Sequence, residues 1–281
     1  MKVDFVVYPV HGRPFTADAT YMPDSRPKPV VIFTHGFKGF KDWGHFNLLA
    51  RHFAENGFVF VKFNFAYNGT SVEDDSDLHD LEAFGNNNFS LELDDMQALI
   101  DLLHDTNPPI QRQELDLNRI YLVGHSRGGG AVILKAAEEP RVKAVATWSA
   151  VSDYDQRWTE PQMAQWKQEG VQYVLNGRTG QQMPLYYQLA EDYHLNRARL
   201  DIPQVIRKMS QPLLILHGEQ DETLPLQMAH DLKKWKPDAE LRLLPDTNHS
   251  FGGQHPYPHG ELPAPARAAA DLTMNFFQRH A

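Results

Sequence analysis

The chain contains no cysteine. Disulfides, thiolate nucleophiles and zinc–thiolate sites are therefore excluded, and nothing calls for an oxidising compartment. Long apolar runs are also missing: none approaches the roughly 20 residues that a membrane-spanning helix needs. Met1 to Phe15 has no basic segment followed by an apolar one, so it does not read as a signal peptide, and the cytoplasm is the expected location. Basic residues are in the minority, with 27 Lys and Arg against 36 Asp and Glu and a net charge of -9. That balance argues against nucleic acid or an anionic membrane surface as a partner. Internal repeats and low-complexity tracts are absent as well.

What the chain does have is an alternation of apolar strand-like runs and amphipathic helical stretches. This is the pattern of a mostly parallel sheet covered by helices, an α/β fold. Val3 to Val7, Thr16 to Tyr21, Pro29 to Thr34, Phe58 to Phe65, Arg119 to Val123, Val142 to Trp148, Leu213 to Leu216 and Glu240 to Leu244 read as strands. Phe46 to Asn56, Leu91 to Leu103, Gly128 to Glu138, Leu226 to Lys236 and Pro265 to Arg279 read as helices. The rhythm breaks from Asp153 to Ser210, a stretch rich in Gln, Trp, Tyr and charge with no clear strand. The expected organisation is a catalytic domain formed by residues 1–152 and 211–281, with 153–210 as a mostly helical cap over the edge where open α/β sheets bind ligands.

Gly124-His125-Ser126-Arg127-Gly128 matches G-x-S-x-G between a strand and a helix, the context in which this pattern presents a serine on a tight, strained turn. A serine hydroxyl needs a base. Among fourteen histidines, His249 follows a late strand and precedes the last helix, in a loop with Phe251 and Gly252-Gly253. A carboxylate must hold the imidazole tautomer. Asp221 lies in the turn after Leu213 to Leu216, and Glu219, Glu222 and Asp153 are its rivals. Backbone N–H groups of Phe37, after the apolar strand ending at Thr34, and of Arg127 are placed to receive an oxyanion. Trp158, Trp166, Phe40 and Phe251 are the expected walls of a substrate pocket. No metal is expected: Glu73 to Asp77 lacks the spacing and glycine of a calcium loop, and His249, His255 and His259 sit in an irregular, proline-containing segment.

The segments HGF at His35 to Phe37, GHSRGG at Gly124 to Gly129, HGEQDETLP at His217 to Pro225 and NHSF at Asn248 to Phe251 resemble the α/β-hydrolase superfamily. The resemblance spans about residues 25 to 281. In style it is similar to small bacterial cinnamoyl or feruloyl esterases and to dienelactone-hydrolase-like proteins. Dienelactone hydrolase itself works through a cysteine, which this chain lacks.

The expected activity is hydrolysis of a small-molecule carboxylic ester through an acyl-enzyme on Ser126, with no cofactor. A serine peptidase or amidase uses the same triad, and Glu160, Glu169, Glu191 and Asp192 in the cap would be available to hold a substrate amine. A non-catalytic small-ligand binding protein of the same fold is the third reading. The oligomeric state is not legible in the sequence.

Overall fold

The computed structural model describes residues 1–155 and 158–281; Gln156 and Arg157, inside the expected cap, lie outside the described residues. Ten strands and ten α-helices are found there. The first half runs β1 (Lys2–Val7), β2 (Phe15–Thr20), β3 (Lys28–Thr34), α1 (Phe46–Glu55), β4 (Val59–Phe63), α2 (Leu81–Gly85), α3 (Phe89–His104), β5 (Leu115–His125), α4 (Arg127–Glu138) and β6 (Val142–Trp148). Then come α5 (Glu160–Glu169), β7 (Val171–Leu175), β8 (Gln182–Tyr186), α6 (Gln188–Leu195), α7 (Arg197–Leu200) and α8 (Ile202–Ile206). The chain closes with β9 (Leu213–Gly218), α9 (Gln227–Trp235), β10 (Glu240–Leu244) and α10 (Ala264–Arg279).

Eight strands form one sheet in the order β1-β2-β4-β3-β5-β6-β9-β10. The β1–β2 and β2–β4 pairs are antiparallel and all later pairs parallel. The central strands are apolar on both faces because both are covered, and their period of two divides the core. Val31, Phe33, Tyr121, Val123, Ala146, Trp148 and Leu216 face α1 and α10, whose Leu49, Phe53, Ala269 and Phe277 are buried against them. Val30, Ile32, Ile120, Leu122, Val145 and Ile215 face the other way, toward Leu93, Met96 and Ile100 of α3 and Ala131 and Val132 of α4.

The segment after β6 differs from expectation. Helices are present, but β7 and β8 form an antiparallel hairpin where no strand was expected. Its sequence, VQYVL-NGRTG-Q-QMPLY, is short and polar-facing, so its alternation is weak beside the sheet strands. The hairpin is docked onto α2 and the start of α3. Tyr186 Oη donates to Glu82 Oε2 at 2.6 Å, Gln188 Nε2 donates to the Asn87 carbonyl at 2.9 Å, and Asp192 accepts the Ser90 N–H at 3.0 Å. No helix among the described residues is long and apolar enough to cross a membrane.

Candidate active site

Ser126 occupies the junction of β5 and α4, with φ 57° and ψ -121°. A non-glycine residue holds such a conformation only where its surroundings enforce it. The enforcement is close packing: a Cβ at Gly124 would lie 2.2 Å from the Gly128 carbonyl oxygen, and one at Gly128 2.5 Å from that of His35. Glycine at these two positions lets strand and helix converge and lifts the serine hydroxyl out of the turn.

His249 comes from the loop between β10 and α10. Its Nε2 lies 3.1 Å from Ser126 Oγ, and its Nδ1 lies 2.8 Å and 3.0 Å from the two oxygens of Asp221. The loops carrying the acid and the imidazole are joined along their backbones. Glu219 and Gln220 donate their N–H groups to the Leu244 and Thr247 carbonyls, and a Cβ at Gly218 would strike the Thr247 carbonyl oxygen at 2.2 Å. The Asp221 side chain is fully buried. Burial opposes its charge, but hydrogen bonds from His217 and His249 and the Leu224 N–H outweigh that and hold the carboxyl well below its usual range. Asp221 is thus a fixed acceptor for Nδ1–H at neutral pH.

The rival acids stand elsewhere. Asp153 accepts the Asp155 N–H at 2.9 Å, and burial raises its pKa. Glu222 accepts the backbone N–H of His249 at 3.2 Å, which steadies the loop without touching the ring. Glu219 is exposed.

Two histidines beside the line went unassigned in the sequence. His217, fully buried, sits with Nε2 3.3 Å from Asp221 Oδ2 and 3.1 Å from the Leu224 carbonyl. His125, inside the serine motif, donates from Nε2 to the His249 carbonyl at 2.8 Å. Burial, reinforced by His249, pushes the His125 pKa down to about 3, so it stays a neutral donor that fixes the His249 backbone.

The Phe37 N–H has no hydrogen-bond acceptor among the described residues. The Arg127 N–H opens α4 and so lacks an intrahelical acceptor. Gly36 brings the first of these amides against the serine: a Cβ there would lie 2.9 Å from Ser126 Cβ. Residues 36 to 44, the loop that carries Phe37, are held from the sheet by a buried polar set. Asn64 accepts the Lys41 N–H at 2.7 Å, and Asn68 donates to the Gly39 carbonyl at 3.2 Å. Below them Lys62, fully buried on β4, joins Asp42 of the loop to Asp18 of β2. Replacing Lys62 with leucine is therefore expected to cost about 1.5–3 kcal/mol, because it removes the cation shared by two carboxylates and leaves Asp42 with Lys41 alone and Asp18 with the longer contacts to Lys41 and Lys2. Urea unfolding reads this directly, and a cost below about 1 kcal/mol would show that the cluster does not anchor the loop.

Two cavities flank Phe37. The first, a cleft of about 350 Å³, contains Ser126, His125 and His249 and is walled by Trp43, Phe46, Lys38, Asn176, Arg178 and His255. The second, of about 130 Å³, is apolar and lies between the starts of α3 and α4 and the segment that carries the β7–β8 hairpin. Phe89, Val151, Tyr154, Trp158, Val174, Leu185 and Leu189 line it with Phe37 and the Arg127 side chain. That guanidinium is buried, paired with Glu92 at 2.9 Å, with its centre 4.5 Å from the Phe89 ring.

Of the four expected pocket residues, only Trp158 lines either cavity. Trp166 is buried behind it, its indole N–H on the Leu185 carbonyl at 2.8 Å. Phe40 is buried in the core, and Phe251 packs on Trp148. Phe40 stands behind the cleft wall, with its ring against His255 and under the Arg178 guanidinium. The acidic run also departs from a purely solvated loop. Asp77 binds Arg178 of the cap hairpin and Asp75 binds Lys41 at 3.1 Å, while Glu73, Asp74 and Ser76 face water.

Lys38, Asn176 and Arg178 are wall residues that sequence reasoning missed. The Asn176-Gly177 pair between two five-residue runs was the legible hairpin signal. Nothing local marks Lys38.

The family model of the alpha/beta hydrolase fold matches residues 29–211. A Yersinia pestis protein named "Putative carboxymethylenebutenolidase" is 23% identical over 90% of this chain and 79% of its own length. Among solved structures, Est1E from Butyrivibrio proteoclasticus with bound ferulic acid superposes with a TM-score of 0.68 at 20% identity, covering 98% of both chains. The esterase domain of a Rhodothermus marinus protein gives 0.67 at 20% identity, covering 100% of this chain and 99% of that one.

Proposed function

This chain belongs to the alpha/beta hydrolase fold family, and we propose that within it the chain is a serine hydrolase of small carboxylic esters. The observation that carries the proposal is the hydrogen-bonded line Asp221–His249–Ser126 ending in a cleft beside two free backbone amides. Ser126 Oγ attacks the ester carbonyl carbon and its proton passes to His249 Nε2. Ionised Asp221 holds Nδ1–H and stabilises the imidazolium. The Phe37 and Arg127 amides receive the carbonyl oxygen as it gains charge. When the tetrahedral species collapses, His249 protonates the departing alkoxide and an acyl group remains on Ser126. Water then gives a proton to His249 and attacks the acyl carbon. The acid leaves and Ser126 regains its proton. No step requires a cofactor.

The leaving group departs on the side of His249, so the alcohol portion belongs in the serine cleft. The acyl portion belongs beyond Phe37, in the apolar cavity under the cap. One structural neighbour is an esterase domain and another holds ferulic acid, and both support an ester as substrate. The peptidase reading needs an acid facing the substrate. Glu160, Glu169 and Glu191 are exposed, Asp192 holds the Ser90 N–H, and none of the four lines either cavity.

A fluorophosphonate is expected to label the protein once, at Ser126. Aryl esters are expected to turn over while aminoacyl p-nitroanilides do not. No label at Ser126 together with no ester turnover would reject the proposal in favour of a binding protein. Anilide cleavage outpacing ester cleavage would move it to the peptidases.

The cap should set acyl preference. Trp158→Ala is expected to change the ratio of kcat/KM between aromatic and acetyl esters by about 10-fold, since loss of an apolar contact of methylene size or more is worth roughly 1–3 kcal/mol. Trp166→Ala should instead lower stability by about 3–5 kcal/mol. The same panel of p-nitrophenyl esters, run beside a melt, separates the two. An unchanged acyl profile in Trp158→Ala would place the acyl group elsewhere.

A further inference from the structure

The serine cleft has a chemical bias that ester hydrolysis alone does not require. In a chain of net charge -9, its wall carries two cations, Lys38 and Arg178, and no carboxylate. Arg178 is committed to Asp77. Lys38 is not paired with any anion among the described residues: its Nζ donates to the carbonyl of Leu175, at 3.0 Å, and lies 5.7 Å from the centre of the Phe37 ring. Burial alone depresses its pKa, with no opposing charge beside it.

Asn176 adds an independent sign. It is 5% exposed and lines the cleft, and its Nδ2 is a buried donor with no hydrogen-bond partner among the described residues. The amide cannot be turned over to cure this, because Oδ1 already accepts the Arg178 N–H at 3.2 Å. A buried amide donor without an acceptor is costly unless something from outside supplies one. His255, stacked on Trp43 across the same cleft, accepts the Gly44 N–H on Nδ1 at 2.9 Å. Its neutral ring therefore carries its proton on Nε2, a donor with no partner among the described residues.

We propose that the leaving-group half of this cleft is a carboxylate subsite, in which Lys38, Asn176 and His255 bind an anionic group on the alcohol portion of the ester. The inference rests on the ester-hydrolase reading for the word alcohol, but the subsite itself rests on the donors. Free donors with no free acceptor among them match an acceptor-only group. A carboxylate has two oxygens to share among them and the negative countercharge that the Lys38 ammonium lacks. The apolar walls of Trp43 and Phe46 leave room for an aromatic or alicyclic body between that carboxylate and the ester oxygen.

The experiment compares acetate esters of 4-hydroxybenzoate and 4-hydroxybenzamide, which share an acyl group and differ in one charge. Each is corrected for its uncatalysed hydrolysis. The wild-type protein is expected to favour the carboxylate by about 10-fold or more in kcat/KM, through KM, and the preference should shrink with added salt. Lys38→Met and Asn176→Ala should each bring the ratio toward one, and Lys38→Arg should keep it. The ratio is taken within one preparation, so partial misfolding of a variant cancels. A ratio near one in the wild type, or a ratio unmoved by both variants, overturns the subsite. A second pair carries the charge on the acyl side, p-nitrophenyl hemisuccinate against its amide. A preference there, with none in the first pair, overturns the alcohol-side assignment.

Should neither pair be hydrolysed and no fluorophosphonate label form at Ser126, the ester-hydrolase reading fails while the subsite is still decided by calorimetry with benzoate and benzamide. Tighter benzoate binding that Lys38→Met abolishes supports it, and equal binding overturns it.

Discussion

Replacing Ser126 with alanine is expected to lower ester turnover by at least about 10³-fold while leaving the fold in place. Among the described residues the Ser126 hydroxyl makes one hydrogen bond, to His249. The strained backbone at this position is imposed by the close approach of Gly124 and Gly128, which alanine at 126 does not alter. The remaining groups would still bind substrate, and water attack on a polarised carbonyl would set the residual rate. Turnover measured beside circular dichroism and a thermal melt tests this. A folded Ser126→Ala protein within tenfold of the parent would remove Ser126 as the proposed nucleophile.

Asp221→Asn should cost on the order of 10³-fold or more in kcat, close to the effect of losing the serine. The asparagine Oδ1 can still accept the Thr223 and Leu224 N–H groups, so the turn is expected to survive. Its amide nitrogen would then face His249 Nδ1 and force the proton to Nε2, where it can no longer accept from Ser126. Asp153→Asn is the matched control, since Asp153 holds only a local turn. The proposed role of Asp221 does not survive if Asp153→Asn is the more damaging of the two in folded protein.

The central strands of the sheet were legible because each buries both faces and so reads as a continuous apolar run. PVVIFT and the run ending at Val123 stand out for this reason, and both lie at the centre of the observed sheet. Helix limits were legible to within a few residues wherever a stop signal lay nearby, as at Gly57 after α1. The β7–β8 hairpin was missed because a small two-stranded ribbon resting on other elements has no face buried continuously along it. Its Asn-Gly signal sat in a stretch dominated by Gln, Tyr and charge.

The sequence by itself determined the α/β order of elements and the strand–turn–helix that exposes Ser126, because these depend on period-two burial and on glycines within a few residues of the serine. The position of each after a strand made His249 and Asp221 candidates, and only the contacts with Ser126 and with the imidazole set Asp221 apart from Glu219, Glu222 and Asp153. Tertiary structure alone decided which aromatic residues face a cavity and which fill the core. Trp158 and Trp166 are similar in sequence context, yet one lines the apolar cavity and the other is sealed by the Leu185 carbonyl. Likewise, Lys38 meets Asn176 and His255 only because a cap hairpin and a C-terminal loop, each more than a hundred residues further along the chain, close over the same cleft. The facing of a side chain in an irregular segment is set by whatever packs against it, and no local period records that.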